Sequence, residues 1–326
     1  MIKAAICGYG NLGKGVEAAM NESRDIQLTA IFTRRGPETV KPVRDGVKVY
    51  SYADLPRFRG CFDVVVNCGG SATDLPVTTP EIAAFFNVVD SFDNHSHIPE
   101  HLAAVGRAAE EGGNLALVSV GWDPGLFSLA RLYMNAVLPE GSDYTFWGRG
   151  VSQGHSDAVR RIEGVADARQ YTVPVEEAVA RVRNGERPVL SAGEKHTREC
   201  YVVAEEGADT DRIREEIVNM PAYFADYRTT VHFISAEEMK RDHGGLPHGG
   251  SVIRTGSTRG GTESQRMEFS LKLDSNPGFT GSVLTAFARA VCRLRAEGKT
   301  GCVTAFDIPP VKLLPGERED AVAHLL

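Results

Sequence analysis

The apolar run Ala4-Ala5-Ile6-Cys7 leads directly into Gly8-Tyr9-Gly10-Asn11-Leu12-Gly13, and helix-forming residues follow from about Leu12 to Asn21. A strand, Gly-x-Gly-x-x-Gly and a helix in immediate succession make a dinucleotide-binding fingerprint. Gly8 permits the tight turn and Gly10 lets the main chain approach a pyrophosphate. Gly13 lets the helix pack closely on the strand, with its N-terminus toward the phosphates.

About twenty residues past the last glycine, an NAD-binding chain of this kind places an acidic residue on the ribose 2′-hydroxyl. Here the second strand, Leu28-Thr29-Ala30-Ile31-Phe32, ends in Thr33-Arg34-Arg35. A hydroxyl and two planar, charged guanidiniums suit a 2′-phosphate, so NADP is the expected cofactor. The competing reading is a solvated arginine pair in a surface loop.

The stretch from Gly36 to Pro56 carries little pattern. Beyond it, Asp63-Val64-Val65-Val66-Asn67-Cys68 is a continuous β-branched run, as expected for a parallel strand buried on both faces. A helix around Pro80 to Phe86, strand Asn87-Val88-Val89-Asp90, a helix from Pro99 to Gly112 and strand Leu115 to Val120 follow. This alternation predicts an α/β, Rossmann-type doubly wound parallel sheet whose strand C-termini share one edge, where ligands bind. Segments 8–13, 33–35, 69–74, 90–95 and 121–125 converge on that edge.

From Tyr144 the texture changes to strands with longer loops, near 144–147, 169–173, 200–204, 230–234, 251–255 and 267–273. In the last, Met267, Phe269, Leu271 and Leu273 alternate with Glu268, Ser270, Lys272 and Asp274, giving one apolar and one polar face. Helices near 176–183 and 211–219 can cover the apolar side, which predicts an α+β substrate and dimerisation domain with an open mixed sheet. The helix Val283 to Leu294 is expected to return to the first domain. The division expected is therefore 1–121 with a C-terminal return at about 280–326, and 122–279.

With 326 residues, 42% of them hydrophobic, the chain is long enough for two domains with substantial cores. Its net charge of −7 disfavours nucleic acid and anionic membrane as partners. No apolar run approaches the roughly 18 residues of a membrane span, and the N-terminus enters the first strand without a charged leader, so a cytoplasmic location is expected. The six cysteines, at 7, 61, 68, 200, 292 and 302, contain no C-x-x-C pair and no histidine at metal spacing. Reduced thiols and no metal site are expected.

Hydride chemistry requires polar groups at a reacting carbon and remote anchors that orient it. Candidates for the reacting centre are Asp93, Trp122, Asp123, Trp147 and His155. Asp93 and Asp123 follow strands on one edge, where both carboxylates can hold a cationic amine. Turn or helix-cap roles compete, above all for Asp123 before Pro124. The segment from Gly148 to Asp157, containing Ser152, Gln153, Gly154 and His155, has the composition of a ligand loop, with a plain helix start at His155 as the alternative. Thr172, Arg198, His248 and Asn276 form a set suited to a remote carboxylate, although spacing alone does not single them out.

Taken in order, Gly8-Tyr9-Gly10-Asn11-Leu12-Gly13, Thr33-Arg34-Arg35, Gly70-Ser71-Ala72-Thr73-Asp74, Phe92-Asp93-Asn94-His95, Gly121-Trp122-Asp123-Pro124-Gly125, Thr145-Phe146-Trp147-Gly148, Ser152-Gln153-Gly154-His155-Ser156-Asp157 and Pro247-His248-Gly249-Gly250 resemble the meso-diaminopimelate dehydrogenase family over nearly the whole chain. The resemblance implies a homodimer performing NADP-dependent oxidative deamination at the D-centre of meso-2,6-diaminopimelate. Transferred residue by residue, it places Asp93, Trp122, Asp123, Trp147, Ser152, Gln153 and Gly154 at the D-amino acid end, and Thr172, Arg198, His248 and Asn276 at the distal L-centre. Cofactor contacts fall on Gly8, Tyr9, Gly10, Asn11, Leu12, Gly13, Thr33, Arg34, Arg35, Gly70, Ser71, Ala72, Thr73, Phe92, Asp93, Asn94, Asp123, Pro124 and Gly125. The general base stays open among Asp93, Asp123, His155 and water. Another Rossmann NADP oxidoreductase of the lysine or aspartate pathway, such as a dihydrodipicolinate reductase or homoserine dehydrogenase, and a catalytically silent NADP-binding protein are the alternatives.

Overall fold

The computed structural model describes residues 1–326, which form two compact units, residues 1–129 with 277–326 and residues 130–276. The first opens with β1 (Ile2–Cys7), α1 (Asn11–Glu22), β2 (Ile26–Thr33), β3 (Lys48–Ser51) and β4 (Val64–Asn67). It continues through α2 (Leu75–Ala83), β5 (Val88–Asp90), α3 (Ile98–Gly112) and β6 (Leu115–Leu117) to α4 (Leu126–Val137), which carries the chain into the second unit.

The second unit contains β7 (Gly141–Trp147), β8 (Gly150–Val151), α5 (Gln153–Arg160), β9 (Val165–Pro174), α6 (Glu176–Arg183) and α7 (Ala192–Lys195). There follow β10 (His196–Ala204), α8 (Thr210–Val218), β11 (Thr229–Phe233), α9 (Ala236–Asp242), β12 (His248–Thr258) and β13 (Glu263–Leu273). The chain returns to the first unit along α10 (Asn276–Ala296) and ends with β14 (Gly301–Val303) and α11 (Arg318–Leu325).

The first unit holds a seven-stranded sheet of order β14-β6-β5-β4-β1-β2-β3. Every pairing in it is parallel. Strand order reverses between β1 and β4, the switch point at which a doubly wound sheet leaves a crevice beyond its strand C-termini. Alternate strand residues fill two cores, as both-face burial demands. On one side Ala4, Ile6, Val64 and Val66 join Val16 and Met20 of α1 and Leu284, Phe287 and Val291 of α10. On the other, Ala5, Val65 and Val88 join Ile82 of α2 and Val105 and Ala109 of α3.

Helices α1 and α10 approach so closely that a Cβ on Gly281 would lie 2.3 Å from the carbonyl carbon of Gly15. Arg289, on the same helix, forms an ion pair with Asp25 and donates to the Leu313 carbonyl over 2.7 Å, tying the C-terminal segment to the start of β2.

In the second unit, the sequence pattern predicts one mixed sheet, whereas the structure has two. One is four-stranded, β11-β10-β9-β8, and the other is three-stranded and antiparallel, β13-β12-β7. Each has its own core. Val165, Ala168, Cys200 and Val202 pack with Ile213 and Ile217 of α8, while Tyr144, Phe146 and Ile253 pack with Ala178, Val179 and Val182 of α6. Alternation identifies strands but does not specify their partners, which explains the difference. Along β13, Met267, Phe269 and Leu271 are half-buried and Leu273 buried, while Glu268, Ser270 and Lys272 are exposed.

No helix is long and apolar enough to cross a membrane. No cluster of three or more His, Cys, Asp or Glu could hold a metal ion, and all six cysteines are free thiols.

Candidate active site

The fingerprint takes up its expected geometry at the end of β1. Gly8 has φ +88°, a conformation that strongly favours glycine, and its N–H donates to the Phe32 carbonyl over 2.8 Å. A Cβ on Gly13 would lie 2.3 Å from the Gly8 carbonyl oxygen, so α1 can start this close to β1 only without one. A Cβ on Gly10 would meet nothing within 4 Å, leaving that side of the turn clear for a ligand.

At the end of β2, the backbone N–H of Arg35 donates to Thr33 Oγ1 over 3.1 Å, and its Nη2 donates to the Tyr9 carbonyl over 2.6 Å. Arg34 pairs with Asp74 at 2.6 Å, and Asp74 also accepts the Gly70 N–H over 3.0 Å. Burial acts to raise the Asp74 pKa, but Arg34, the Gly70 N–H and the Thr73 hydroxyl together hold it below the usual carboxylate value. Thr33, Arg34, Arg35, Gly70 and Asp74 line a cavity of about 270 Å³ with Gly8, Tyr9, Gly10, Tyr52, Cys68 and Gly69. Glycine backbone, a clear approach at Gly10 and two guanidiniums where an acid would stand fit a dinucleotide carrying a 2′-phosphate.

Asp90 organises the neighbouring strand ends. Its fully buried carboxylate accepts the N–H of Phe92 (3.1 Å) and Ser119 (2.9 Å), the Thr79 hydroxyl (2.8 Å) and His101 Nε2 (2.6 Å). From this anchor, Asp93 lies in an exposed segment where its N–H donates to Ser71 Oγ over 3.0 Å. In segment 121–125 the Gly121 N–H donates to the Pro124 carbonyl over 2.7 Å, and buried Trp122 meets Phe127 edge-on at 5.2 Å. The fold thus carries Gly70, Ser71, Ala72, Thr73, Phe92, Asp93, Asn94 and Asp123 at the C-terminal edge of one sheet.

Within the second unit, Gly150 of β8 stands opposite Thr172 of β9, and Thr172 opposite Arg198 of β10. Arg198 Nη1 donates to the Thr172 hydroxyl. The His248 ring packs against Gly150, where a Cβ would lie 2.5 Å from it. Thr172, Arg198 and His248 therefore converge, and the Asn276 N–H joins the chain before His248 by donating to the Leu246 carbonyl over 2.9 Å. Arg198 is only 7% exposed, its Nε has no hydrogen-bond partner, and the groups that favour its charge are the Tyr227 phenol and the Cys200 thiol, not a carboxylate. Burial lowers its pKa. Buried charges in proteins are normally paired, and a guanidinium matches a carboxylate in a two-pronged fork.

The segment expected as a ligand loop contains a helix start. Ser152 caps α5, accepting the His155 N–H, and its hydroxyl lies 2.7 Å from His155 Nδ1. Gln153 and Gly154 form the first turn of that helix. Burial, then repulsion from Arg198, lowers the His155 pKa to about 4, so the imidazole is neutral near pH 7.

Three neighbours of these residues escape sequence reasoning. Tyr227 lies under the Arg198 guanidinium at 4.0 Å, and nothing in its loop signals this. His196 accepts the Trp147 N–H at Nε2 over 2.8 Å and stacks on the indole, a role hinted at only by its place two residues before Arg198 on the same strand face. Glu17 of α1 is fully buried and bonded to Tyr9.

Residues 121–275 match the family model described as diaminopimelic acid dehydrogenase C-terminal domain. The meso-diaminopimelate D-dehydrogenase of Acetivibrio thermocellus is 54% identical over 326 residues, covering 100% of this chain and 98% of that one. Among solved structures, the C. glutamicum diaminopimelate dehydrogenase in complex with diaminopimelate is 44% identical with a TM-score of 0.92, covering 100% of this chain and 99% of that one. An engineered D-amino acid dehydrogenase bound to NADP+ is 42% identical with a TM-score of 0.87, with the same coverage. A matching model over the C-terminal region and relatives alike along their whole length join the fingerprint and the Thr172–Arg198–His248 cluster in one conclusion: the chain belongs to the meso-diaminopimelate D-dehydrogenase family.

Proposed function

We propose that this chain catalyses the reversible NADP-dependent oxidative deamination of meso-2,6-diaminopimelate at its D-configured carbon. The product is L-2-amino-6-oxopimelate, which cyclises to tetrahydrodipicolinate, and the reverse reductive amination serves lysine biosynthesis. The observation that carries this reading is Arg198, buried beside Thr172 and His248 with an unpartnered Nε, a site built for the carboxylate remote from the reacting carbon.

NADP+, held by the Gly8–Gly13 turn and by Thr33, Arg34 and Arg35, supplies the hydride acceptor. Asp93 and Asp123 hold the ammonium of the D-centre, with Trp122, Trp147, Ser152, Gln153 and Gly154 shaping its surroundings. Thr172, Arg198, His248 and Asn276 orient the L-centre. One of Asp93, Asp123, His155 or water takes a proton from the ammonium, and hydride then leaves the carbon. The resulting imine adds water and releases ammonia. Overall, one water is consumed, and ammonium, a proton and NADPH appear with the oxo acid.

An assay for NADPH formation with the separate stereoisomers tests this. Turnover should require a D-centre and a distal carboxylate, so meso-diaminopimelate should react and the LL isomer should not. Binding of NADP+ without turnover of any isomer would instead mark a silent NADP-binding protein, and turnover of a different lysine-pathway intermediate would mark a different oxidoreductase.

We also propose that the protein is a cytoplasmic homodimer. Leu132, Tyr133 and Val137 of α4 are 43%, 50% and 66% exposed, an apolar surface suited to a two-fold contact. Sedimentation showing a stable monomer at micromolar concentration would remove the dimer.

A further inference from the structure

We infer that Glu17, a residue remote from the reaction, is a positioning residue for NADP selectivity and acts through Tyr9 on Arg35. The inference rests on Arg35 being a 2′-phosphate ligand, as proposed above.

Glu17 lies on α1 beside Val16 and Met20, and all three have no exposed surface. Every group bonded to its carboxylate is neutral. The Tyr9 hydroxyl donates to Oε2, the Val43 N–H reaches Oε1 at 3.0 Å and Oε2 at 3.1 Å, and the Arg44 N–H donates to Oε1 over 2.9 Å. Burying a carboxylate without a cation is costly, so an apolar or amide side chain of similar size would be easier to pack here if filling space were the only need. Burial, then the neighbouring carboxylate, pushes the Tyr9 phenol well above its ordinary pKa, so it remains the donor.

What the carboxylate fixes are the two supports of Arg35. Tyr9 is the second residue of the glycine turn, and its carbonyl accepts Arg35 Nη2 over 2.6 Å. Anchoring its phenol to α1 sets where that carbonyl lies. Val43 and Arg44 close the segment that Arg35 opens, so bonds to their N–H groups fasten the far end of the same segment to the same helix. The guanidinium is thereby held beside the turn before cofactor arrives. Such preorganisation improves affinity by reducing the ordering required on binding. NAD lacks the phosphate that Arg35 would meet, so its affinity should depend on this arrangement far less than that of NADP.

The test is equilibrium binding of NADP+ and NAD+ to the apo protein by calorimetry, for Glu17→Met, Tyr9→Phe, Arg35→Ala and the double variant Glu17→Met with Arg35→Ala. Thermal melting of each apo protein identifies any loss of fold. Glu17→Met should weaken NADP+ by roughly tenfold, the scale of a lost hydrogen bond to a charged group, and leave NAD+ unchanged, while Tyr9→Phe, whose backbone belongs to the turn that holds either dinucleotide, should weaken NADP+ by roughly tenfold more than it weakens NAD+. In the double variant, NADP+ should bind no more weakly than in Arg35→Ala alone, because residues acting through one contact do not add. Equal weakening of both cofactors, or full additivity with Arg35→Ala, would overturn the inference. Should Glu17→Met fail to fold, Tyr9→Phe decides alone, since it leaves the carboxylate and its backbone donors in place. An Arg35→Ala protein with unchanged selectivity would instead sink the reading of Arg35 itself, and the role of Glu17 with it.

Discussion

The backbone N–H of Trp147 donates to Nε2 of His196 over 2.8 Å, and the two rings lie 5.3 Å apart at 23°. Only an imidazole unprotonated at Nε2 can accept that bond. Burial first, then repulsion from Arg198 and Lys195, lowers the His196 pKa from 6.5 to about 4, which keeps it in that state.

A pH dependence of stability follows. His196 and His155 both have folded pKa values near 4, whereas the unfolded chain takes up protons near 6.5. The unfolded state therefore binds more protons between these values, and stability falls as pH drops from 6.5 to about 4. Above 6.5 neither histidine contributes to the slope. In His196→Gln, whose side-chain oxygen can still accept the Trp147 N–H, the denaturation midpoint should match the wild type near pH 7 and fall less steeply below it. An equally steep fall would show that His196 is not the group titrating.

The contact of α1 with α10 predicts a stability effect away from the chemistry. A Cβ at position 281 would meet backbone atoms of Gly15 and Val16 at 2.3 to 2.6 Å, and backbone cannot swing aside as a flexible side chain can. Gly281→Ala should therefore destabilise by about 1 to 3 kcal/mol or more, despite the higher helix propensity of alanine. Chemical denaturation of the apo protein measures it, and a stabilised variant would contradict the packing.

For the arginine pair, the structure predicts an order. Arg34 already pairs with Asp74, and its side chain is 59% exposed, so part of its charge is neutralised before cofactor binds. Arg35 is held by a carbonyl, which leaves its charge intact. A charge-assisted hydrogen bond is worth about 1.5 to 3 kcal/mol. Arg35→Ala should thus weaken NADP+ binding more than Arg34→Ala does, and the double variant should bind NADP+ far more weakly while retaining NAD+ affinity. Unchanged affinities for both cofactors would make the pair ordinary solvated surface.

Local pattern carried the fingerprint, β4 and β13, because each depends on its own periodicity or on glycine geometry. Strand β3 (Lys48–Ser51) fell in the stretch of least pattern, as four residues at a sheet edge leave almost no periodic signal. The split of the second unit into two sheets depends on which distant strand each face meets, which no local window contains. The same holds for the carboxylate site. Thr172 and Arg198 are 26 residues apart and become neighbours only through the β9–β10 register. Glu17 left a weak trace, a carboxylate between Gly13 and Met20 on the buried face of α1, but its partners Val43 and Arg44 lie in the stretch of least pattern.

Selectivity for a second carboxylate should rest on Thr172, Arg198 and His248. A D-amino acid with an alkyl side chain brings nothing to Arg198 and leaves a desolvated guanidinium unpaired, a penalty of about 1 to 3 kcal/mol and more for a charged group. The wild type should accordingly favour meso-diaminopimelate strongly over D-alanine and D-leucine. Replacing Arg198 by Met, Thr172 by Ile and His248 by Asn removes the charge and the hydroxyl together. Activity on diaminopimelate should then fall while activity on D-leucine rises. Because the residues lining the Gly8–Arg35 cavity are untouched, the affinity for NADP+ should hardly change, which separates a lost substrate contact from a damaged fold. A triple variant that kept the wild-type ratio of the two activities would place the distal carboxylate elsewhere, whatever its activity on diaminopimelate.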